Sequence, residues 1–279
     1  MNTLAIIGTG LIGTSTALAV RGAGFSGEIL GVDANPAELQ ASLSLHGITR
    51  MATLAEAAAE ADTIFLAVPV LAILDTLQRL ASTLGPHQLV TDAGSTKLSI
   101  CELAIPFYNG PSQPRFLPGH PMAGKESGGA ALADAALFQN ATWLFTPIAD
   151  ETALEADWRT WVSRLGAHTQ DLDPTLHDKL CAWVSHMPQM VATAMSALFE
   201  DEFADSPQIA AVGGRALREM TRLGASPYSM WRDVALTNTQ PLAATLFALE
   251  QRLAHMRENL RTPELRDEFA KANTFRRNR

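Results

Sequence analysis

Several short motifs along this chain hold groups that can do chemistry. Gly119-His120-Pro121-Met122-Ala123-Gly124 sets an imidazole among glycines and prolines. That suits an acid or base whose charge changes near neutral pH. Asp92-Ala93-Gly94-Ser95-Thr96-Lys97 offers a hydroxyl, and Ser95 reads equally as a cap on the next helix or as a group in a site. Ser185-His186-Met187-Pro188-Gln189 puts His186 and Gln189 three apart, on one helix face, where both could line a cleft. Arg222, beside the turn Gly224-Ala225-Ser226-Pro227, can present its planar fork to a carboxylate. Taken singly, a histidine or an arginine of this kind is more often structural or surface-exposed than functional. His177-Asp178 pairs a further imidazole with an acid. His177 and His186 fall on opposite faces of a straight helix, which argues against shared metal ligation, and no metal is expected.

These groups need elements to hold them, and the first is at the N-terminus. An apolar run from Leu4 ends in Gly8-Thr9-Gly10-Leu11-Ile12-Gly13, a G-x-G-x-x-G spacing, and a second apolar run ends in Asp33 twenty residues later. Gly8 permits the tight strand-to-helix turn, Gly10 lets the backbone approach a pyrophosphate, and Gly13 lets the helix pack on its strand. The helix start, with Leu11 and Ile12, supplies unpaired N–H donors and the positive dipole end. Asp33 would accept hydrogen bonds from a ribose 2′-OH and repel a 2′-phosphate. No Arg or Lys follows it in Ala34-Asn35-Pro36-Ala37, so NAD is the expected cofactor rather than NADP. Val68-Pro69, closing the third apolar run, belongs near the adenosine side.

Strand-like runs at 4–8, 29–33, 63–68, 88–92, 115–117 and 142–146 alternate with helical stretches such as 54–60 and 73–84. Near-continuous apolar strands in βαβα order predict an α/β fold with a Rossmann-type doubly wound sheet. Ligands then gather beyond the carboxyl ends of the strands, where the Ser95 and His120 motifs fall, the latter as a loop after the fifth strand. A helix over 151–165 and an extended piece near 167–172 close this half. From Pro174 the pattern is helical to the end, broken around Pro207, Gly213-Gly214, Pro227, Pro241 and Pro263. The expectation is a cofactor domain over 1–172 and an all-helical domain over 173–279, apolar enough to pair two copies as a homodimer.

Composition removes several classes. The net charge of −8 argues against nucleic-acid binding, and the basic stretch Arg276-Arg277-Asn278-Arg279 is too short to reverse that and reads as a frayed terminus. The two cysteines, Cys101 and Cys181, form no CxxC motif and suit a reducing cytosol. No apolar run reaches the ~18 residues of a membrane span, so a soluble, cytoplasmic protein is expected.

Taken in order, these motifs resemble the prephenate/arogenate (cyclohexadienyl) dehydrogenase family of tyrosine biosynthesis, over nearly the whole chain. The more specific elements are Gly119–Gly124 and Ser185-His186-x-Pro188, in that order, and the resemblance also takes in Glu126 and Met230-Trp231-Arg232-Asp233 with Asn238. The resemblance implies NAD-dependent oxidative decarboxylation of a cyclohexadienyl substrate. It implies that His120 takes the hydroxyl proton, Ser95 bonds the same hydroxyl, Arg222 anchors a carboxylate, and His186 lines or orders the site. Trp231 is expected to pack the helical domain or an interface, with a contact near the pocket as the alternative. Gln189 stands where several members carry a histidine near the substrate's side chain, which leaves prephenate and arogenate both open. Competing readings are a 3-hydroxyacid or imine reductase on the same plan and a non-catalytic dinucleotide-binding protein.

Overall fold

The computed structural model describes residues 1–278. Among these, six strands form one parallel sheet: β1 (Thr3–Ile7), β2 (Glu28–Val32), β3 (Arg50–Met51), β4 (Thr63–Leu66), β5 (Leu89–Asp92) and β6 (Arg115–Leu117). Their order is β3-β2-β1-β4-β5-β6, so the winding reverses between β1 and β4. A crevice opens at such a reversal, beyond the strand ends. Here it lies between the glycine turn after β1 and Val68-Pro69 after β4.

Leu4, Ala5 and Ile6 are all fully buried, as are Ile64, Phe65 and Leu66, because helices cover both faces of the sheet. On one face lie α1 (Leu11–Gly22) and the aromatic group Phe65, Phe138, Trp143 and Trp158. On the other, α3 (Leu54–Glu60), α4 (Val70–Ala81) and α5 (Leu98–Ala104) bury Ile73, Leu77 and Ile100. The helix α2 (Pro36–Ser44) starts with the Asn35 side chain accepting from Ala37 N–H. Thr53 and Glu56 form a capping box at α3, and Thr152 and Glu155 another at α6 (Ala153–Arg164).

Two parts of this half depart from the expectation. β3 is two residues long, too short to show a period, and was not anticipated. The run at 142–146 is a strand, β8 (Thr142–Phe145), but not part of the large sheet. It pairs antiparallel with β7 (Gly119–Pro121) and parallel with β9 (His168–Asp171) in a second, three-stranded sheet. His120 is therefore not on a loop. It sits on β7 opposite Leu144.

From Pro174 the described chain is helical: α7 (Pro174–Cys181), α8 (Met187–Phe203), α9 (Pro207–Val212), α10 (Arg215–Thr221), α11 (Tyr228–Thr237), α12 (Thr239–Glu258) and α13 (Pro263–Arg277). Asp173 caps α7 by accepting from Thr175 and Leu176 N–H. Pro241 does not break a helix, because it lies in the first turn of α12, where its missing N–H costs little. The basic stretch is helical through Arg277 rather than frayed, and Arg279 lies outside the described residues. No described helix is long and apolar enough to cross a membrane.

Candidate active site

The glycine turn is built as its spacing demands. Gly8 has a φ of +94°, and a Cβ there would lie 2.5 Å from the Ala67 carbonyl oxygen. A Cβ on Gly13 would lie 1.9 Å from the Gly8 carbonyl oxygen, so α1 could not approach β1 with any other residue. Gly10 differs: a Cβ there meets nothing within 4 Å. It opens onto space above the start of α1, whose first turn has no side-chain cap. Asp33 faces this turn from the end of β2. Its carboxylate accepts from Thr9 N–H at 2.7 Å, from the Thr9 hydroxyl at 3.2 Å and from Asn35 N–H at 2.8 Å.

A cleft of about 570 Å³ runs from this turn to the helical half, within the usual size range of small-molecule sites. Gly10, Leu11 and Ile12 line one end with Val68 and Pro69. Ser95, His120 and the segment 121–129 line the middle, and Val184, Ser185, Met230 and Trp231 close it from the helical side.

His120 is held from behind. Its Nδ1 lies 2.9 Å from His177 Nε2, and His177 Nδ1 lies 2.8 Å from Asp178 Oδ1. Asp178 also accepts the N–H of Lys97 at 2.7 Å and of Leu98 at 3.0 Å, and so caps α5 from the other half of the chain. Ser95 therefore does not cap that helix and stays at the cleft surface. Lys97, fully buried, is paired with the equally buried Asp92 and donates to the Gly119 carbonyl at 2.7 Å. Asp92 in turn accepts from Gly94 and Gly119 N–H. The pair thus ties the end of β5 to the strand that carries His120.

Burial is the main reason that the His120 pKa lies well below the ordinary imidazole value, with the charges of His177, Lys97 and His186 adding to it. Burial also lowers His177, against the hydrogen bond to Asp178, and lowers His186 to about 4. All three rings are therefore neutral near pH 7. Cys181 Sγ lies 3.6 Å from His177 Nε2 and 4.0 Å from His120 Nδ1, and burial pushes its thiol up to about 12. One ligand atom from each of these three residues falls within 4.8 Å of the others, so they form a group that could hold a metal ion.

Other expectations need correction. The helix from α7 to α8 is not straight, since residues Ala182–His186 form a π turn. That turn brings Val184 and Ser185 to the cleft, while His186 and Gln189 do not line it. His186 is fully buried behind the wall: Asn238 Nδ2 donates to its Nδ1 at 3.1 Å and to the Asp178 carbonyl at 2.8 Å. Gln189 donates to the Leu223 carbonyl at 2.7 Å and to Thr193, and accepts from Ser226, which commits its amide to the helical half. Arg222 lies outside the cleft lining with its side chain 57% exposed, paired with Glu126 from the lining. Trp231 combines the two expected placements: it lines the cleft and stands edge-on to His186. Lys97 and the capping role of Asp178 were missed. The lysine five places after a strand-end aspartate was visible, but its burial was not.

A glycine turn at the reversal of a parallel sheet, facing a neutral imidazole across a cleft that a helical half closes, defines an oxidoreductase of the nucleotide-binding type. The chain belongs to the prephenate dehydrogenase family: residues 16–169 match the family's nucleotide-binding domain and 173–273 its dimerization domain. It is 35% identical over 260 residues to the prephenate dehydrogenase of Lactococcus lactis, covering 92% of this chain and 70% of that one. The crystal structure of Aquifex aeolicus prephenate dehydrogenase in complex with hydroxyphenyl propionate and NAD+ superposes with a TM-score of 0.87 at 26% identity, covering 99% and 97% of the two chains. Synechocystis arogenate dehydrogenase superposes with a TM-score of 0.77 at 27% identity, covering 99% of each.

Proposed function

We propose that this chain oxidatively decarboxylates prephenate to 4-hydroxyphenylpyruvate, using NAD and His120 as general base. The observation that carries the reading is a buried, neutral imidazole lining the same cleft as the glycine turn. A base must be neutral to take a proton, and this one is held so by its surroundings.

NAD fits the residues at the other end. The space over Gly10 and the uncapped start of α1 suit a pyrophosphate, and Asp33 suits the ribose hydroxyls. Bound there, NAD would supply the acceptor for the hydride of the hydroxyl-bearing ring carbon. His120 Nε2 takes the hydroxyl proton as the carbonyl develops, and Ser95 hydrogen-bonds the same oxygen. The ring carboxylate then leaves as CO2, its bonding pair aromatises the ring, and the phenolate oxygen takes the proton back from His120. Arg222, freed from Glu126, anchors a substrate carboxylate, and His186 and Gln189 hold the helical wall in place.

Residues 1–172 serve the cofactor and 173–279 the substrate and a second copy of the chain. Supporting the homodimer, Leu236, Phe247, Leu253 and Phe269 are each more than half exposed on the helical half. Arogenate is the second reading, favoured by the likeness to the Synechocystis enzyme. Initial rates of NADH or NADPH formation with prephenate and with arogenate, each with NAD and NADP, test the proposal. Turnover of prephenate with NAD is expected, and no turnover of either substrate would overturn it.

A further inference from the structure

We propose that His177 and Asp178 form a positioning relay that locks His120 in its Nδ1–H tautomer, leaving the Nε2 lone pair for the cleft. The inference rests on the reading of His120 as the base and adds what makes it one.

The argument is one of donors and acceptors. Asp178 takes the N–H groups of Lys97 and Leu98 at 2.7 and 3.0 Å, so it stands there as an acceptor. His177 Nδ1, 2.8 Å away, must then donate to it. A neutral imidazole carries one proton, so His177 Nε2 holds a lone pair. His120 Nδ1, at 2.9 Å, must donate to that lone pair. The second nitrogen of His120 is thereby left unprotonated, as a general base requires.

The other groups around this chain of bonds leave it in place. The Lys97 ammonium is engaged by Asp92 and the Gly119 carbonyl. The Cys181 thiol, kept protonated by burial, lies 3.6 Å from His177 Nε2 and 4.0 Å from His120 Nδ1, and as a weak, distant donor it yields that lone pair to the 2.9 Å contact between the rings. His186 is turned to Asn238. As His120 takes the substrate's proton at Nε2 it becomes an imidazolium that keeps its Nδ1–H bond to His177. The new positive charge then faces the Asp178 carboxylate through one intervening ring. No proton has to cross the relay for the carboxylate to stabilise it. His177 and Asp178 need not touch the substrate, so their effect falls on kcat and on its pH profile rather than on KM.

The test has a structural arm and a kinetic arm. Nitrogen-15 spectra of the histidine side chains in the wild-type protein, with the His120 signals assigned by their loss in His120→Asn, report the tautomer directly. Nδ1–H at both His120 and His177 is expected, and Nε2–H at His120 would overturn the relay whether or not the protein turns over prephenate. In the kinetic arm, His177→Leu removes the acceptor and should lower kcat by about 10²-fold, the low end of a general base's contribution. KM should stay within about twofold, since substrate binding is untouched. His177→Gln can accept from His120 through its carbonyl and donate to Asp178 through its amide, so it should recover kcat to within about tenfold of wild type. Wild-type kcat and an unmoved acidic limb in His177→Leu would overturn the relay. Absence of turnover in the wild-type protein would instead sink the assigned reaction, leaving the spectra to decide the relay.

Discussion

The two ends of the cleft are built in opposite ways. At the cofactor end the backbone does the work: three glycines, an uncapped helix start and one carboxylate, within the segment from Gly8 to Asp33. At the histidine end buried side chains do it. His120 and His177 are 57 residues apart, and Asp178 reaches the amide of Lys97 across 81. Close backbone approach demands local spacing and glycine, whereas a desolvated polar network demands partners from several elements, all satisfied together. At the first end Gly8 and Gly13 therefore leave no room for added atoms, and the second end tolerates no lost partner.

The largest expected effect breaks the histidine end. Lys97→Met leaves the buried Asp92 without its counter-ion, and losing one partner of a buried pair costs about 3–5 kcal/mol. Urea unfolding should show a lower midpoint, with much of the loss recovered in the double variant carrying Asp92→Asn. An unchanged midpoint would mean that the pair does not tie β5 to β7.

At the cofactor end, Gly13→Ala forces a methyl against the Gly8 carbonyl. Overpacking of this kind costs about 1–3 kcal/mol. Gly10→Ala has open space and should leave the fold's stability unchanged while weakening NAD binding. Calorimetric titration together with thermal melts separates the two, and equal stability losses would erase the contrast.

Smaller effects refine the comparison. Arg222→Gln should raise KM for substrate by about tenfold with little change in kcat, the signature of lost uniform binding. The sign of the pH dependence is set by burial. The folded His120 pKa is depressed, so the active neutral base is present near neutrality and is lost only as pH falls well below the ordinary imidazole range. A kcat profile whose acidic limb sat above pH 7 would contradict that, since the ordinary pKa is about 6.5.

The same contrast explains what could be read from the chain alone. Gly8, Gly10, Gly13 and Asp33 announce themselves because each is required by its neighbours within one βαβ unit. His120 and Ser95 were legible as residue types in motifs, yet β7 is three residues long and its partner β8 follows a long excursion, so the strand under His120 was hidden. The π turn at Ala182–His186 was invisible to a helical period, and it moved Ser185 to the cleft and His186 behind it. Lys97 illustrates the general difficulty. Nothing in a lysine's neighbours in sequence says that it will be fully buried, because its counter-charge and its carbonyl partner are brought to it by the fold.

The central claim, that the two ends meet to oxidise a cyclohexadienyl substrate, is tested most directly by comparing wild type with His120→Asn. The measurement is the initial rate of NADH formation from prephenate, with NAD affinity determined alongside. Turnover by the wild type, with kcat lowered by about 10²–10⁴-fold in His120→Asn and NAD binding intact, is the predicted result. Undiminished kcat in His120→Asn, or no turnover by the wild type, would contradict it.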